Sequence, residues 1–266
     1  MTSLDGLTGG SPEVGDAGFA DAPLDVGSVL DAPVEAASDA GSDAGRYCAS
    51  LTTKPSFCDD FDDEGPFSNW SGSVIGPGAS ILRDRAASRS APNSLLATSP
   101  ANPASIAAYL RLDSPTTVHR VRVAYDMRVD ARDALTAYAE VGYIRFGVTG
   151  GKQHAFYIRL RNDTSVATAF AAEAYLPDGG VPDYGVALSG NPQFSSWTRV
   201  AVDYDLGTSP HVSVTIDGAV AGSAALDPTL FTSDVAHVDI GIGYTGHPSS
   251  AAWQLRYDNV TVDWVP

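Results

Sequence analysis

The chain has 266 residues, of which 32 are acidic and 16 are basic, which gives a formal net charge of −16 at pH 7. This excess of negative charge argues against nucleic acid or an anionic membrane surface as the main partner. No apolar run approaches the ~20 residues that a membrane-spanning helix needs, so the sequence predicts no transmembrane segment.

Residues 1–45 contain nine acidic residues and no lysine or arginine. Asp, Ala, Gly, Ser and Pro dominate this segment, and its few apolar residues follow neither the helical nor the strand period. Such a segment cannot bury enough apolar surface to offset the entropy of ordering it. We therefore predict a disordered acidic tether at 1–45, followed by one folded domain at 46–266.

The tether resembles the acidic spacers that follow the lipid-anchored cysteine of bacterial surface lipoproteins. This resemblance implies an exported protein at the extracellular or bacterial cell surface, with an export signal and a lipid anchor upstream of Met1. An upstream reading frame that encodes such a signal would support the hypothesis, and an upstream stop codon would contradict it.

Cys48 and Cys58 are the two cysteines of the chain. Two cysteines without a nearby histidine do not suit zinc, which wants four ligands, and their spacing is not that of a redox C-x-x-C motif. A disulfide that closes a short loop is the favoured interpretation, and it would contribute about 2–3 kcal/mol in the chain-entropy model. Two buried free thiols are the alternative. An even cysteine count beside a tether favours oxidation and export.

From about residue 95 onward, apolar residues recur with a period of two. In His119–Asp130, for example, Val121, Val123 and Tyr125 alternate with charged residues, which is typical of a strand with one face in water. About ten to twelve such strands favour a single two-sheet sandwich. Asp217-Gly218 predicts a hairpin turn, and a phase slip in the last strand at Asp258-Asn259 predicts a β-bulge.

Three motifs carry a resemblance to a known superfamily. The domain opens with Phe57-Cys58-Asp59-Asp60-Phe61-Asp62 followed by Trp70, its central hairpin runs from Trp197 through Asp217-Gly218, and its final strand contains Tyr257-Asp258-Asn259-Val260. In order and spacing these segments resemble the concanavalin A-like lectin/glucanase jelly roll, which includes laminin G-like domains. The resemblance implies an all-β, two-sheet antiparallel jelly-roll sandwich, and this superfamily hosts many functions.

Glucanases of this superfamily place their catalytic carboxylates on one strand as E-x-D-x-x-E. No two of the five glutamates of this chain fall within one strand, so we predict that it is not a retaining glycosidase of that type. Polysaccharide lyases on related jelly rolls use Tyr, His and Arg instead. The segment Lys152–Arg161 has these residue types without a recognisable lyase signature, and a solvated strand face is the alternative.

Three predicted strands present polar and aromatic residues on their outward positions. We expect Tyr143 and Arg145, then Tyr157 and Arg159, then Glu173 and Tyr175 to share one surface if these strands are neighbours. Sugar rings stack on aromatic faces, and their hydroxyls suit Arg and Glu, so this surface is a candidate glycan-binding site. The alternative is an ordinary solubilising sheet face, since Tyr favours strands and Arg–Glu pairs form across them.

Calcium is the cofactor that the resemblance implies. Many members of the superfamily hold a structural Ca²⁺ between the opening and closing strands, and the matching carboxylates here are Asp60, Asp62 and Asp258. Ca²⁺ takes about six to eight oxygen ligands, which an aspartate cluster beside a bulge can supply. The alternative is an acidic loop with one aspartate that hydrogen-bonds the bulge.

The functional expectation from the sequence is an exported, surface-tethered domain that binds a polysaccharide without cleaving it. The absence of the glucanase acid motif favours the lack of cleavage, and the fold resemblance with the tether favours the binding. A laminin G-like adhesion domain with a protein partner is the first alternative. A polysaccharide lyase or hydrolase without a recognisable motif is the second.

Overall fold

A computed structural model describes residues 46–101, 106–132, 138–147, 152–161, 167–175, 183–189, 192–226, 234–245 and 251–266. For residues 152–153, 161, 167–175 and 183–184 it describes the backbone. The predicted tether at 1–45 lies outside the described residues.

The described residues form one short helix, α1 (Tyr47–Ser50), and sixteen strands. The strands are β1 (Phe57–Asp59), β2 (Gly72–Ile75), β3 (Ser80–Asp84), β4 (Ser94–Ser99), β5 (Ala108–Val118), β6 (Arg120–Ala131), β7 (Tyr138–Phe146), β8 (Lys152–Arg161), β9 (Ala167–Tyr175), β10 (Asp183–Ala187), β11 (Trp197–Asp205), β12 (His211–Ile216), β13 (Ala219–Ala225), β14 (Asp234–Ile242), β15 (Tyr244–Thr245) and β16 (Trp253–Val265). The prediction of an almost purely β domain is confirmed. Within these ranges no helix is long and apolar enough to cross a membrane.

The strands form two sheets in which the paired strands run antiparallel. The first sheet has the order β13-β12-β11-β6-β16-β4-β3, with β1 also paired to β16. The second has the order β10-β9-β8-β7-β14-β5-β2, with β15 also paired to β7. Strands distant in the chain, such as β7 and β14, therefore become neighbours. The predicted two-sheet antiparallel sandwich is confirmed.

The core lies between the two sheets and is built by the alternation seen in the sequence. In β6, Val121, Val123 and Tyr125 are buried against the facing sheet, and β11 contributes Val202 and Tyr204 in the same way. Each such apolar side chain contributes about 1.5–3 kcal/mol when it is fully buried. The polar positions between them lie on the outer faces of the sandwich.

Three local features predicted from the sequence are confirmed. Asp217 and Gly218 connect β12 to β13 with φ angles of 50° and 80°, which is the geometry of a tight hairpin turn. The register of β16 against β6 shifts between Asp258 and Thr261, where the bulge is expected. Cys48 and Cys58 form a disulfide.

A second bulge, in β7, was not predicted. The register of β7 against β8 shifts between Glu140 and Tyr143, around Gly142 with a φ of 147°. Before the bulge Ala139 and Val141 are buried in the core, and after it Ile144 and Phe146 are. The extra residue shifts the alternation of side chains by one position. As a result Tyr138 and Glu140 before the bulge and Tyr143 and Arg145 after it lie on the same outer face.

Candidate functional site

The candidate site is the outer face of the second sheet, where directly opposite residues of neighbouring strands form rows. One row contains Asp113 on β5, His237 on β14 and Arg145 on β7. The next contains Arg111 on β5, Asp239 on β14, Tyr143 on β7 and Tyr157 on β8. Directly opposite side chains in an antiparallel pair share a face with Cβ atoms about 5 Å apart, so these residues are in mutual contact range. We call this surface the Arg–Tyr face.

Cations and aromatic rings form a continuous series on the Arg–Tyr face. The Arg145 guanidinium lies 4.1 Å from the centroid of the Tyr143 ring, and Tyr143 stacks on Tyr157 with centroids 5.1 Å apart. The Arg159 guanidinium lies 5.0 Å from the Tyr157 ring and 4.3 Å from the Tyr138 ring. Tyr138 in turn stacks on Tyr244 at 5.8 Å. Such contacts hold the side chains in fixed orientations.

The series leaves little free ring surface for a sugar to stack on. Tyr157 is only 9% exposed, since its ring contacts both Tyr143 and Arg159. The face therefore offers hydrogen-bond donors at the phenol and guanidinium edges more than it offers ring planes. Donors of this kind suit anionic groups better than the apolar faces of neutral sugars.

A single buried carboxylate is shared by two arginines. Arg111 donates to Asp239 through Nε at 2.9 Å and through Nη2 at 3.3 Å, and Arg145 donates from Nη2 at 3.2 Å. The Asp239 side chain is only 1% exposed. Two guanidinium groups share this one carboxylate, and the Asp113 carboxylate of the neighbouring row balances the second positive charge. Arg145 Nε is buried without a hydrogen-bond partner among the described residues, so the donors that a ligand can reach belong to the exposed part of the two side chains, 31% for Arg111 and 25% for Arg145.

Arg159 is placed differently, because it has a carboxylate of its own. It donates to Glu140 Oε1 from Nη2 at 3.0 Å and from Nε at 3.3 Å, and Nη2 also lies 3.2 Å from the Tyr157 hydroxyl. Burial raises the pKa of Glu140, and the hydrogen bond from Arg159 opposes this shift. The Arg159–Glu140 pair is thus a one-to-one ion pair, whereas at Asp239 two arginines share one carboxylate.

Two tyrosines of the face, Tyr143 and Tyr138, have a raised pKa and stay protonated at neutral pH. Burial raises the pKa of Tyr143 to about 12, against the opposing effect of the Arg145 charge. Burial also raises the pKa of Tyr138, with Arg159 opposing. A phenol with a raised pKa keeps its proton and can donate it in a hydrogen bond or to a leaving group.

The structure places four of the six predicted ligand-binding residues on this face, namely Tyr143, Arg145, Tyr157 and Arg159. Glu173 and Tyr175 belong to β9, and their side chains lie outside the described part. The backbone register sets Glu173 opposite His154 and Tyr175 opposite Lys152. The ligand-binding role expected for Glu173 and Tyr175 therefore stays a prediction.

Sequence reasoning missed several residues of the face, among them Arg111, Asp113, Glu140, His237 and Asp239. The signal for β14 was present, since His237 and Asp239 alternate with the buried Val238 and Ile240. What the sequence did not indicate is that β14 lies between β5 and β7.

The aspartates predicted to bind calcium lie near the opening strand and the last strand. Both oxygens of Asp258 already accept hydrogen bonds, from the backbone N–H groups of Arg89 and Ser90 at 2.7 and 2.9 Å and from Asn259 N–H at 2.8 Å. Asp258 therefore stabilises the bulge and the loop that faces it, which is the alternative to a calcium ligand. Burial raises its pKa to about 7, and these donors oppose the shift.

Asp60 and Asp62 fit a cation better than Asp258 does. Asp60 accepts one hydrogen bond, from Cys48 N–H at 3.1 Å, and Asp62 Oδ1 accepts one from Asn93 N–H at 3.1 Å. Asp62 Oδ2 is buried without a partner among the described residues, and burial raises the pKa of Asp62 to about 6. The described residues contain no group of three or more His, Cys, Asp or Glu side chains placed to hold a metal. Calcium therefore stays a prediction.

No protein-family model and no curated protein matches the chain. Solved structures do match its fold. An endo-β-1,4-glucuronan lyase from the fungus Trichoderma reesei matches with a TM-score of 0.59 at 12% identity, over 80% of this chain and 96% of that one. The cellulose induced protein Cip1 matches with a TM-score of 0.53 at 14% identity, over 77% and 96%. A Bacteroides ovatus GH16 protein in complex with a G4G4G3G product matches with 0.52 at 13%, over 77% and 99%.

The expectation of a non-catalytic carbohydrate-binding domain is wrong in the light of these matches. The structures that share the fold over most of the chain include a lyase and a product-bound GH16 protein. The sheet order, the antiparallel pairing and these matches establish that the chain has the concanavalin A-like jelly-roll fold.

Proposed function

We propose that the chain is an extracellular polysaccharide-cleaving enzyme, and that it acts as a lyase on a polymer that contains uronate residues. The observation that carries the proposal is the arginine pair on the Arg–Tyr face, where Arg111 and Arg145 share the one carboxylate of Asp239 and are each partly exposed. The likeness to a glucuronan lyase over 80% of the chain supports it. The Cys48–Cys58 disulfide supports an oxidising, extracellular location.

The exposed guanidinium groups of the face argue for an anionic substrate. The whole chain carries a net charge of −16, so a long polyanion is repelled except where positive charge is concentrated. A uronate carboxylate is planar, and it matches the paired N–H donors of a guanidinium. The cluster around Asp239 provides two guanidinium groups that are partly exposed to a ligand.

Elimination at a uronate requires few groups, and the face offers them. A base removes the proton from the carbon next to the carboxylate, the electron pair forms a carbon–carbon double bond, and the neighbouring carbon–oxygen bond of the glycosidic link breaks. Negative charge grows on the carboxylate as the proton leaves, and a fixed guanidinium at that place stabilises the transition state. The departing oxygen takes a proton, for which the protonated Tyr143 phenol is a suitable donor.

A hydrolase is the second candidate, because Glu140 and Asp239 are two carboxylates on the same face. Glycosidases use such a pair, and the raised pKa of Glu140 suits a general acid. Both carboxylates, however, are bound to arginines, which holds them in structural ion pairs. We therefore place hydrolysis behind elimination.

The test is a panel of glucuronan, alginate and polygalacturonate beside two neutral polymers, mixed-linkage glucan and laminarin. Products are followed by ultraviolet absorbance of the new double bond and, in parallel, by reducing ends. We expect both signals with at least one uronate polymer and neither with the neutral ones. Reducing ends without absorbance would indicate the hydrolase, and no product from any polymer would refute the proposal.

Two charge-neutralising variants test the assigned cluster. Arg145→Gln removes one of the two guanidinium groups that contact Asp239, and we expect it to abolish most of the activity while the protein stays folded. Arg122→Gln is the matched control, because Arg122 is a half-exposed arginine of β6 in the first sheet, paired with Asp203. An equal loss in both variants would point to overall charge instead of the Arg–Tyr face.

A further inference from the structure

We infer that His237, held by Asp113, is the group that accepts the proton in the proposed elimination. The inference rests on the proposed function, and it assigns a residue that neither the sequence nor the fold comparisons single out. His237 lies on the outer face of β14, with 28% of its side chain exposed. It is thus both fixed in the sheet and open to a ligand.

The contact with Asp113 determines which ring nitrogen can act as a base. Nδ1 of His237 lies 2.6 Å from Asp113 Oδ1 on the neighbouring strand. In the neutral ring, a carboxylate at this distance holds the proton on Nδ1, so the lone pair is on Nε2. No hydrogen bond to Nε2 occurs within the described ranges. The nearby residue 147 is a glycine, and a Cβ added there would lie 3.7 Å from Nε2, so no side chain covers this atom from that direction.

The register places this base beside the group that binds the uronate carboxylate. His237 pairs directly with Arg145 on one side and with Asp113 on the other. In the elimination the proton leaves the carbon next to the carboxylate. The proton acceptor must therefore be a neighbour of the carboxylate-binding arginine, and directly opposite residues have Cβ atoms about 5 Å apart.

The other histidines of the described residues are elsewhere. His154 is 3% exposed on the core side of β8, His211 begins β12 in the first sheet, and His119 lies between β5 and β6. Tyrosine is the remaining kind of base on the face. The raised pKa of Tyr143, and that of Tyr138, argue against deprotonation of these two phenols and favour a donating role.

The proton and electron balance of the step is complete. Nε2 of His237 takes the proton, the carbon–hydrogen electrons become the double bond, and the departing glycosidic oxygen receives a proton from Tyr143. The imidazolium then returns its proton to solvent, and Tyr143 is reprotonated from solvent. The charged groups that face His237 are Asp113 on β5, Arg145 on β7 and, two residues along its own strand, Asp239.

The experiment uses the full chain and the uronate polymer that the wild type cleaves. We expect His237→Gln to lower the rate of double-bond formation by about 10²–10⁴-fold, the usual contribution of a positioned general base. The variant should keep the thermal stabilisation that this polymer gives the wild type. His237→Ala should recover part of the rate in added imidazole. His211→Gln is the matched control, since His211 lies on the other sheet and contacts the Ser209 carbonyl, and it should keep the full rate.

Asp113 is a positioning residue, and its variant has a different signature. Asp113→Asn should lower the rate less than His237→Gln and change the pH at which the rate falls on the acid side, and Asp113→Glu should restore much of the rate. A His237→Gln enzyme with the wild-type rate would refute the role of His237 and leave the lyase proposal standing. A wild type that forms no double bond on any uronate polymer would overturn both.

Discussion

Gly142, in the bulge of β7, provides a test of how this strand packs against Tyr125 of the facing sheet. Replacing it with Ala adds a Cβ that would lie 2.3 Å from the hydroxyl oxygen of Tyr125, a residue buried in the core. The φ of 147° is also one that a residue with a Cβ rarely adopts, at a cost of about 1–3 kcal/mol. Gly142→Ala therefore perturbs both the backbone and a buried side chain.

The second part of the cost comes from the Tyr125 hydroxyl. This hydroxyl donates to the Val141 carbonyl at 3.0 Å, and the added methyl group must displace it. Leaving a buried polar group without its partner costs about 1–3 kcal/mol. We therefore expect Gly142→Ala to lower the free energy of unfolding by several kcal/mol, measured by urea denaturation with the disulfide intact.

A double-mutant cycle separates the two contributions. Tyr125→Phe alone should cost about 1 kcal/mol, the value of a typical hydrogen bond. In the Gly142→Ala/Tyr125→Phe protein the ring atom closest to the added Cβ is Cζ of residue 125, at 3.1 Å. A shift of a few tenths of an ångström can relieve this close contact. The double variant should therefore be more stable than the sum of the single effects predicts, by about 1–2 kcal/mol. Additive effects, or a Gly142→Ala protein within about 0.5 kcal/mol of wild type, would refute this account of the bulge.

Three further predictions concern the disulfide, pH and calcium. Replacing Cys48 and Cys58 with Ala should cost about 2–3 kcal/mol in the free energy of unfolding, since the closed loop is short, and an unchanged melting temperature would contradict this. Burial raises the pKa of Asp258 to about 7, so the folded state binds more protons than the unfolded state between about pH 4 and 7. The contribution of this group to stability should therefore fall as pH rises through that window. The urea midpoint should decrease from pH 5 to pH 8, and this decrease should be smaller in Asp258→Asn than in wild type. An equal decrease in both proteins would argue against the shift. Calcium bound at Asp60 and Asp62 should raise the melting temperature relative to chelator in wild type but not in Asp62→Asn, and no rise in wild type would remove the ion from consideration.

Local chemistry explains which features the sequence alone predicts. The period of two assigns inward and outward positions within a strand, so Tyr143, Arg145, Tyr157 and Arg159 were correctly expected on an outer face. The Asp217-Gly218 turn and the Asp258-Asn259 bulge were read in the same way, from residues adjacent in the chain. Each of these predictions depends on a few consecutive residues.

The omissions arise where the partner of a strand is set by distant parts of the chain. β9 consists mostly of alanine and other small residues, and its backbone register against β8 sets Glu173 opposite His154 and Tyr175 opposite Lys152. The sequence around Gly142 does not indicate a bulge, because glycine also occurs in regular strands. Its role depends on Tyr125, a residue of the facing sheet.

The sequence by itself therefore determined the strand content, the two-sheet class, the disulfide and part of the Arg–Tyr face. Only the tertiary structure decided that β14 lies between β5 and β7, which brings Asp239 to Arg111 and Arg145 across 128 and 94 residues of chain. The same order of strands sets His237 between Asp113 and Arg145. The physical reason is that alternation fixes the direction of a side chain within its own strand, whereas its neighbours across the sheet depend on long-range pairing that many strand orders could satisfy.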